Sequence, residues 1–177
     1  MGRPRGFSEA AVLQAATEIF TRGGYAGTSV DDLVKGLNLH RGSLYKAFGS
    51  KHGLFLAVLR HCLERQLAAV IQPAITGDTA ASELIDKLTR APELDLLLVA
   101  AVERGPQDAE VAALVRTALL MIEQATEAAD PRPADGATAR PARAIELLGV
   151  RLFERLYPEP DHPHRPTRPT RGSTKET

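Results

Sequence analysis

The chain has 177 residues, 44% of them hydrophobic, with 22 basic side chains balanced by 22 acidic ones. That composition suits a globular protein with a full core, and no stretch approaches the roughly 20 apolar residues of a membrane span. The start, MGRPRGFSEA, carries no apolar signal segment, and the single Cys62 excludes an internal disulfide framework, so a reducing cytoplasm is the expected location.

The balanced charge hides a split. Residues 1–60 hold eight Lys or Arg against four Asp or Glu, whereas residues 61–157 hold ten against fifteen. A basic first third on a mildly acidic body points to a polyanion partner for the first part alone. Scattered solvated charge is the plain alternative, and position along the chain has to decide between them.

The first helix is predicted from Ser8, which can cap it. Glu9 favours the positive end of its dipole, and Phe7 and Val12 are placed for a hydrophobic staple. Val12, Ala16, Ile19 and Phe20 give it one apolar face, and Gly23-Gly24 is expected to stop it. A second start falls at Thr28-Ser29. Val30, Leu33, Val34 and Leu37 then follow at i, i+3, i+4 and i+7, an amphipathic helix of about two turns. Asn38 tolerates the left-handed conformation of a sharp exit. The pattern resumes at Arg41 with Leu44, Tyr45 and Phe48 and breaks at Gly49-Ser50. Ser50 can cap a longer helix through Leu54, Val58, Leu59, Cys62 and Leu67 that ends near Pro73.

Two short helices separated by about four residues have the spacing of a helix-turn-helix, whose second helix enters the DNA major groove. In that frame Leu44 and Phe48 share one side at i, i+4 and face inward. Arg41, Ser43, Tyr45 and Lys46 are left nearer the groove, and Gly42 permits close backbone approach. Lys51, in the first turn of the next helix, stands where a cation and backbone N–H groups can grip a phosphate. Rings thus hold a small module together while cations dock it.

An ordered set of residues carries a resemblance. Ile19-Phe20, Gly24-Tyr25, Thr28-Ser29-Val30, Gly42-Ser43-Leu44-Tyr45, Phe48 and Ser50-Lys51 together resemble the DNA-binding domain of the TetR/AcrR family of transcriptional repressors. The resemblance covers residues 3–60, about a third of the chain. It implies that Thr28 and Ser29 meet backbone phosphates, that Arg41, Gly42, Ser43, Tyr45 and Lys46 lie on the recognition helix, and that Lys51 meets a flanking phosphate. Arg3 and Arg5 resemble a short basic arm for a minor groove. The chain departs from the family at Leu37-Asn38-Leu39-His40, where members often have Ala-Gly-Val-Ser. His40 therefore replaces a small hydroxyl cap; a phosphate contact and an exposed turn histidine are both open to it.

Beyond Pro73, residues 74–82 are expected to form a loop. Helices are predicted at about 82–90, 93–104 and 107–129, punctuated by Pro92 and Gly105-Pro106, with Asp108 and Glu110 suiting the start of the long one. A loop at 129–141 leads to a last helix at 142–157. No period-two pattern survives, so the fold is expected to be all-α. The expected organisation is a helix-turn-helix DNA-binding domain over 1–50, a connecting helix over 51–72, a helical ligand-binding and dimerisation domain over 73–157, and a disordered tail over 158–177. The tail holds five prolines and a repeated R-P-T unit and cannot bury apolar surface.

The resemblance implies a homodimer built on the last long helices, a palindromic double-stranded DNA operator and an effector site in a core more compact than in many members. Apolar helices fit a small apolar or amphipathic effector, although a packed core writes the same pattern. No nucleophile elbow, P-loop, dinucleotide fingerprint or zinc-protease motif is present. No enzymatic activity, cofactor or metal is therefore expected, His162 and His164 lacking a further ligand. Cys62 among Val58, Leu59 and Leu63 reads as a buried structural thiol. The rival reading is a helical binding or scaffold protein that never touches DNA; a regulator without an effector lies inside the same class.

Overall fold

The computed structural model describes residues 8–130 and 142–156. Arg3, Arg5, Phe7 and its staple, residues 131–141 of the loop expected over 129–141, and the proline-rich tail with His162 and His164 lie outside them. The described residues form an all-α protein without strands, as expected.

Helix α1 (Glu9–Gly27) is capped by Ser8, whose Oγ accepts the Ala11 N–H at 3.4 Å. The expected stop at Gly23-Gly24 is a break rather than an end. Gly24 sits at φ 69, ψ 169, a region open essentially to glycine alone, and helical turns resume after it as far as Gly27. Helix α2 (Val30–Gly36) carries a reciprocal capping box between Ser29 and Asp32, and Asn38 leaves it at φ 50, the left-handed exit its amide side chain tolerates. Helix α3 (Arg41–Phe48) follows. Ser50 then caps α4 (Lys51–His61) through Gly53 N–H at 2.9 Å.

The connecting helix is not one regular rod. After α4 the chain widens into a π-helical segment (Cys62–Leu67) before α5 (Ala68–Ile75). Cys62 and Leu67 are both fully buried, and their five-residue spacing suits the wider turn, which keeps the two on the core side. Burial first, and the Glu93 carboxylate second, push the Cys62 thiol up to about 12. The expected end near Pro73 also moves. Pro73 lies inside α5 because it forfeits only one N–H bond, while Ile71 and Ala74 are buried and Asp78 N–H closes the turn on the Pro73 carbonyl at 2.7 Å. The loop expected over 74–82 shrinks accordingly to 76–80.

The body consists of α6 (Ala81–Arg90), α7 (Pro92–Val99), α8 (Ala109–Ala129) and α9 (Ala142–Leu156). Pro92 occupies the first turn of α7, where a missing N–H costs nothing. Leu94, Leu96, Leu97, Leu98 and Val99 are all buried, so α7 is the central helix, enclosed all round. The helix expected to run to 104 instead ends at Val99. A second π-helical segment (Ala100–Arg104) and a 3₁₀ turn (Gly105–Gln107) lead to α8, which Asp108 caps by accepting from Glu110 and Val111 N–H, both at 3.2 Å.

Helix α9 is pinned at both ends. Arg143 donates to the carbonyls of Thr126 (2.6 Å) and Asp130 (2.8 Å), closing the end of α8, and Ala144 N–H donates to Glu123. Arg151 makes a two-pronged pair with Asp95 of α7 at 3.0 and 2.8 Å. The head meets the body where α1 packs on α7 and on the second π-helical segment. No helix among the described residues is long and apolar enough to cross a membrane.

Candidate nucleic-acid interface

The head presents α3 because its apolar side is fully used. Leu44 is buried to 0% exposure and Phe48 is half-buried, which leaves Arg41, Gly42, Tyr45 and Lys46 on the exposed edge and Ser43 half-buried beside them. Gly53 fixes the angle between α3 and α4, since a Cβ there would collide with the Phe48 carbonyl. His40 is exposed at the start of α3 and makes no side-chain cap bond; its carbonyl accepts from Ser43 and Leu44 N–H at 2.9 and 3.1 Å. The departure at this position thus leaves the first turn of α3 without a side-chain cap.

Two cations have local partners. Arg41 pairs with Asp31, and that carboxylate, by hydrogen bond and then by charge, holds the guanidinium above its ordinary pKa. Lys51 turns inward. Its Nζ donates to the carbonyls of Tyr25 and Thr28, both at 2.9 Å, and stands 4.3 Å from the centre of the Tyr25 ring. With two of its three donors on protein carbonyls, Lys51 clamps the corner between α1 and α2 and keeps one donor for the phosphate contact expected of it.

Thr28 is likewise withdrawn. It is 3% exposed, and its hydroxyl donates to the Gly24 carbonyl at 2.6 Å, because the break at Gly24 leaves that acceptor outside the regular ladder. Ser29 is exposed at the start of α2, with its hydroxyl shared between Asp32 N–H (3.1 Å) and the Asp32 carboxylate (2.6 Å). The Ser29 side chain and then its backbone N–H hold the Asp32 carboxyl below its ordinary pKa.

Sequence reasoning missed Glu103 and Arg104 here, and it named Tyr25 without its packing role. Tyr25 is a keystone, its ring centre 4.9 Å from Phe55 and 6.1 Å from Phe20. Glu103 reaches from the body to accept Ala26 N–H at 2.8 Å, and the Arg104 guanidinium lies 4.8 Å from the Tyr25 ring centre. The Glu103 contact spans 77 positions, so no local pattern announces it.

Residues 12–58 match the model of bacterial regulatory proteins of the tetR family. The HTH-type transcriptional regulator YezE of Bacillus subtilis is 35% identical over 121 residues, which are 63% of this chain and 62% of that protein. Among solved structures, a cysteine mutant of the TetR family transcriptional regulator CifR, complexed with 26-bp double-strand operator DNA, is 26% identical with a TM-score of 0.61. That alignment covers 85% of this chain and 86% of the other. Through residues 12–58 the chain is thus similar to TetR-family regulators. The fold is also that of AibR, crystallised with isovaleryl coenzyme A and operator DNA, at 18% identity, a TM-score of 0.59, and coverage of 87% and 89%. The chain spans about three fifths of the length of YezE.

Proposed function

We propose that the protein is a homodimeric transcriptional repressor that binds a palindromic operator and releases it when a small apolar or amphipathic effector occupies the body. The observation that carries this reading is the exposed edge of α3, with Arg41, Gly42, Tyr45 and Lys46 presented by a rigid helix-turn-helix. Arg and Lys at such an edge serve base and phosphate contacts, and Tyr45, 39% exposed, adds a ring with a polar tip. Ser29 and His40 flank that edge, Ser43 supports it, and Arg3 and Arg5 precede it in sequence as a basic arm. CifR and AibR, each solved with operator DNA, support the same mode of use.

Support for the dimer comes from apolar side chains left outside the core. Leu120 of α8 is 45% exposed, and Ile145 and Leu152 of α9 are 53% and 40% exposed. Ile145, Gly149 and Leu152 recur at i, i+4 and i+7, one stripe that a second copy would cover. Such a dimer would set two α3 edges about 34–36 Å apart, one turn of DNA.

Support for the effector is a cavity of about 280 Å³ between α6, α8 and α9, where Ile85, Leu147 and Val150 meet Thr89, Thr126 and Arg143. An apolar wall with a few convergent polar groups suits an amphipathic molecule. An effector that favours a second arrangement of the body would shift the dimer away from its operator-binding form. Isovaleryl coenzyme A bound to AibR is a precedent for such a ligand class.

Selection of duplexes from random-sequence DNA tests the reading. Recovery of an inverted repeat, protected as one continuous footprint, is the expected result. A protein that enriches no sequence would be a scaffold protein instead, and a Lys46→Ala variant that binds the recovered duplex with unchanged affinity and salt dependence would remove the α3 edge from the interface.

A further inference from the structure

We infer that Glu103 is a positioning residue for operator recognition: from the body it grips the corner between α1 and α2 and fixes the head in the arrangement that meets DNA. The inference rests on the operator-binding reading above and deepens it. Gly24 begins the argument. Its φ of 69 turns the backbone out of the helical path, and Ala26 N–H finds its acceptor in Glu103 Oε2 at 2.8 Å. Gly24 itself is buried, and a Cβ there would collide with the Glu103 carboxylate. Corner and carboxylate are therefore shaped to each other.

The corner governs α2 and, through it, α3. The Gly24 carbonyl holds Thr28, and the Tyr25 and Thr28 carbonyls hold Lys51. Ser29, which starts α2, follows directly. Displacement of the corner therefore tilts the start of α2 together with the α3 edge packed against it. Apolar packing between α1 and α7 supplies the bulk of the joint, but such packing is non-directional. A charged hydrogen bond to one amide sets an angle.

The device sits where the body is irregular. Glu103 and Arg104 lie in the π-helical segment that follows α7, a distortion found often at functional sites. Arg104 approaches the Tyr25 ring and donates to Asp108 at 3.1 Å, while His52 of α4 lies 3.5 Å from the same carboxylate. Arg104 Nε and His52 Nδ1 are buried without a hydrogen-bond partner, an incomplete pairing suited to a joint with more than one arrangement. Asp108 also caps α8, whose far end supplies Thr126 to the cavity. One helix thus runs from the cavity to the partner of Arg104, the neighbour of Glu103.

The test uses the whole protein and a duplex it selects from random-sequence DNA. Should the unaltered protein select none, the operator reading ends, and exchange of the Ala26 amide still judges the grip. Affinities of Glu103→Ala, Glu103→Asp and Glu103→Gln are compared at one salt concentration, together with amide hydrogen exchange. Glu103→Ala and Glu103→Asp should lose about tenfold in affinity, whereas Glu103→Gln, which keeps an acceptor at the same reach, should recover most of it. The Ala26 amide should exchange faster in the Ala and Asp variants, with α1 amides before Gly24 unchanged. Equal or tighter binding by Glu103→Ala overturns the inference. So does an Ala26 amide that stays as slow as in the unaltered protein, or faster exchange throughout α1, which would mark general loosening.

Discussion

The head and the body hold themselves together by different means. In the head, Phe20, Tyr25 and Phe55 bring three rings from two helices within 4.9–6.1 Å of one another, and Lys51 and Thr28 spend their polar atoms on nearby carbonyls. In the body, α7 is wrapped largely by aliphatic side chains, with directed polar bonds from Arg143 to the end of α8 and from Arg151 to Asp95. A three-helix unit has little interior to fill, so rings and directed polar bonds must supply shape as well as cohesion. The larger body tolerates a generic core. Specificity for one geometry is therefore concentrated in the head, where a function that depends on geometry would need it.

The largest effect should come from the ring cluster. Phe55→Ala should destabilise the protein by about 3–5 kcal/mol in denaturant unfolding. A body substitution such as Leu97→Ala should cost about 2–5 kcal/mol by the same mechanism. If operator affinity per folded molecule fell equally in both, the contrast between the two regions would be wrong. Next, Gly24→Ala should cost about 1–3 kcal/mol from backbone strain alone, before the collision with Glu103 is counted.

Lys51→Ala comes third and tests the clamp directly. Losing a cation bonded to two carbonyls should lower stability by about 1–2 kcal/mol, whereas exposed Lys46→Ala should stay within about 0.5 kcal/mol. Lys46→Ala should instead reduce the salt dependence of operator binding by about one unit of slope. Equal stability for the two variants would show that Lys51 is no clamp and leave it the phosphate contact alone.

Smaller effects concern the joint and the core thiol. Asp108 accepts from Val111 N–H and then from Arg104, with the His52 and Arg104 charges close by, and these hold its carboxyl below the ordinary value of 3.8. A folded-state pKa lowered in this way contributes stability that is fully present above that value and lost as pH falls through the folded one. Asp108→Asn should therefore be less stable than the unaltered protein at neutral pH, the gap closing in acid unfolding below about pH 3.8. Cys62, held up at about 12 and fully buried, should resist a thiol reagent at pH 8 until the protein is unfolded. Rapid labelling of the native protein would show that the joint between α4 and α5 opens.

What the sequence could announce depended on how far each signal had to travel. Caps at Ser8, Ser29 and Ser50, and the left-handed Asn38, were legible because each involves groups within a few residues, whereas Asp108 was read only as suiting a helix dipole. The inward faces of α2 and α3 followed from periodicity, with Leu33 and Leu44 fully buried. The inward turn of Lys51 was not legible, because its acceptors lie 23 and 26 positions back along the chain. Nor was the end of regular helix at Val99, after which Glu103 and Arg104 make contacts with residues far back along the chain. Pro73 misled for a plainer reason: a proline removes one bond, and burial of its neighbours outweighed that loss.

The π-helical stretch at Cys62–Leu67 has a mechanical meaning. One surplus residue in a single turn advances everything downstream by about 100° around the axis relative to an unbroken helix. Excising one residue there would swing Leu67 toward water and dial the carboxyl-terminal half to a new azimuth against the amino-terminal one. The relative bearing of the two halves is in that sense written by an indel of length one, so a one-residue deletion in this stretch should cost stability as Leu67 meets water and reset the angle between them.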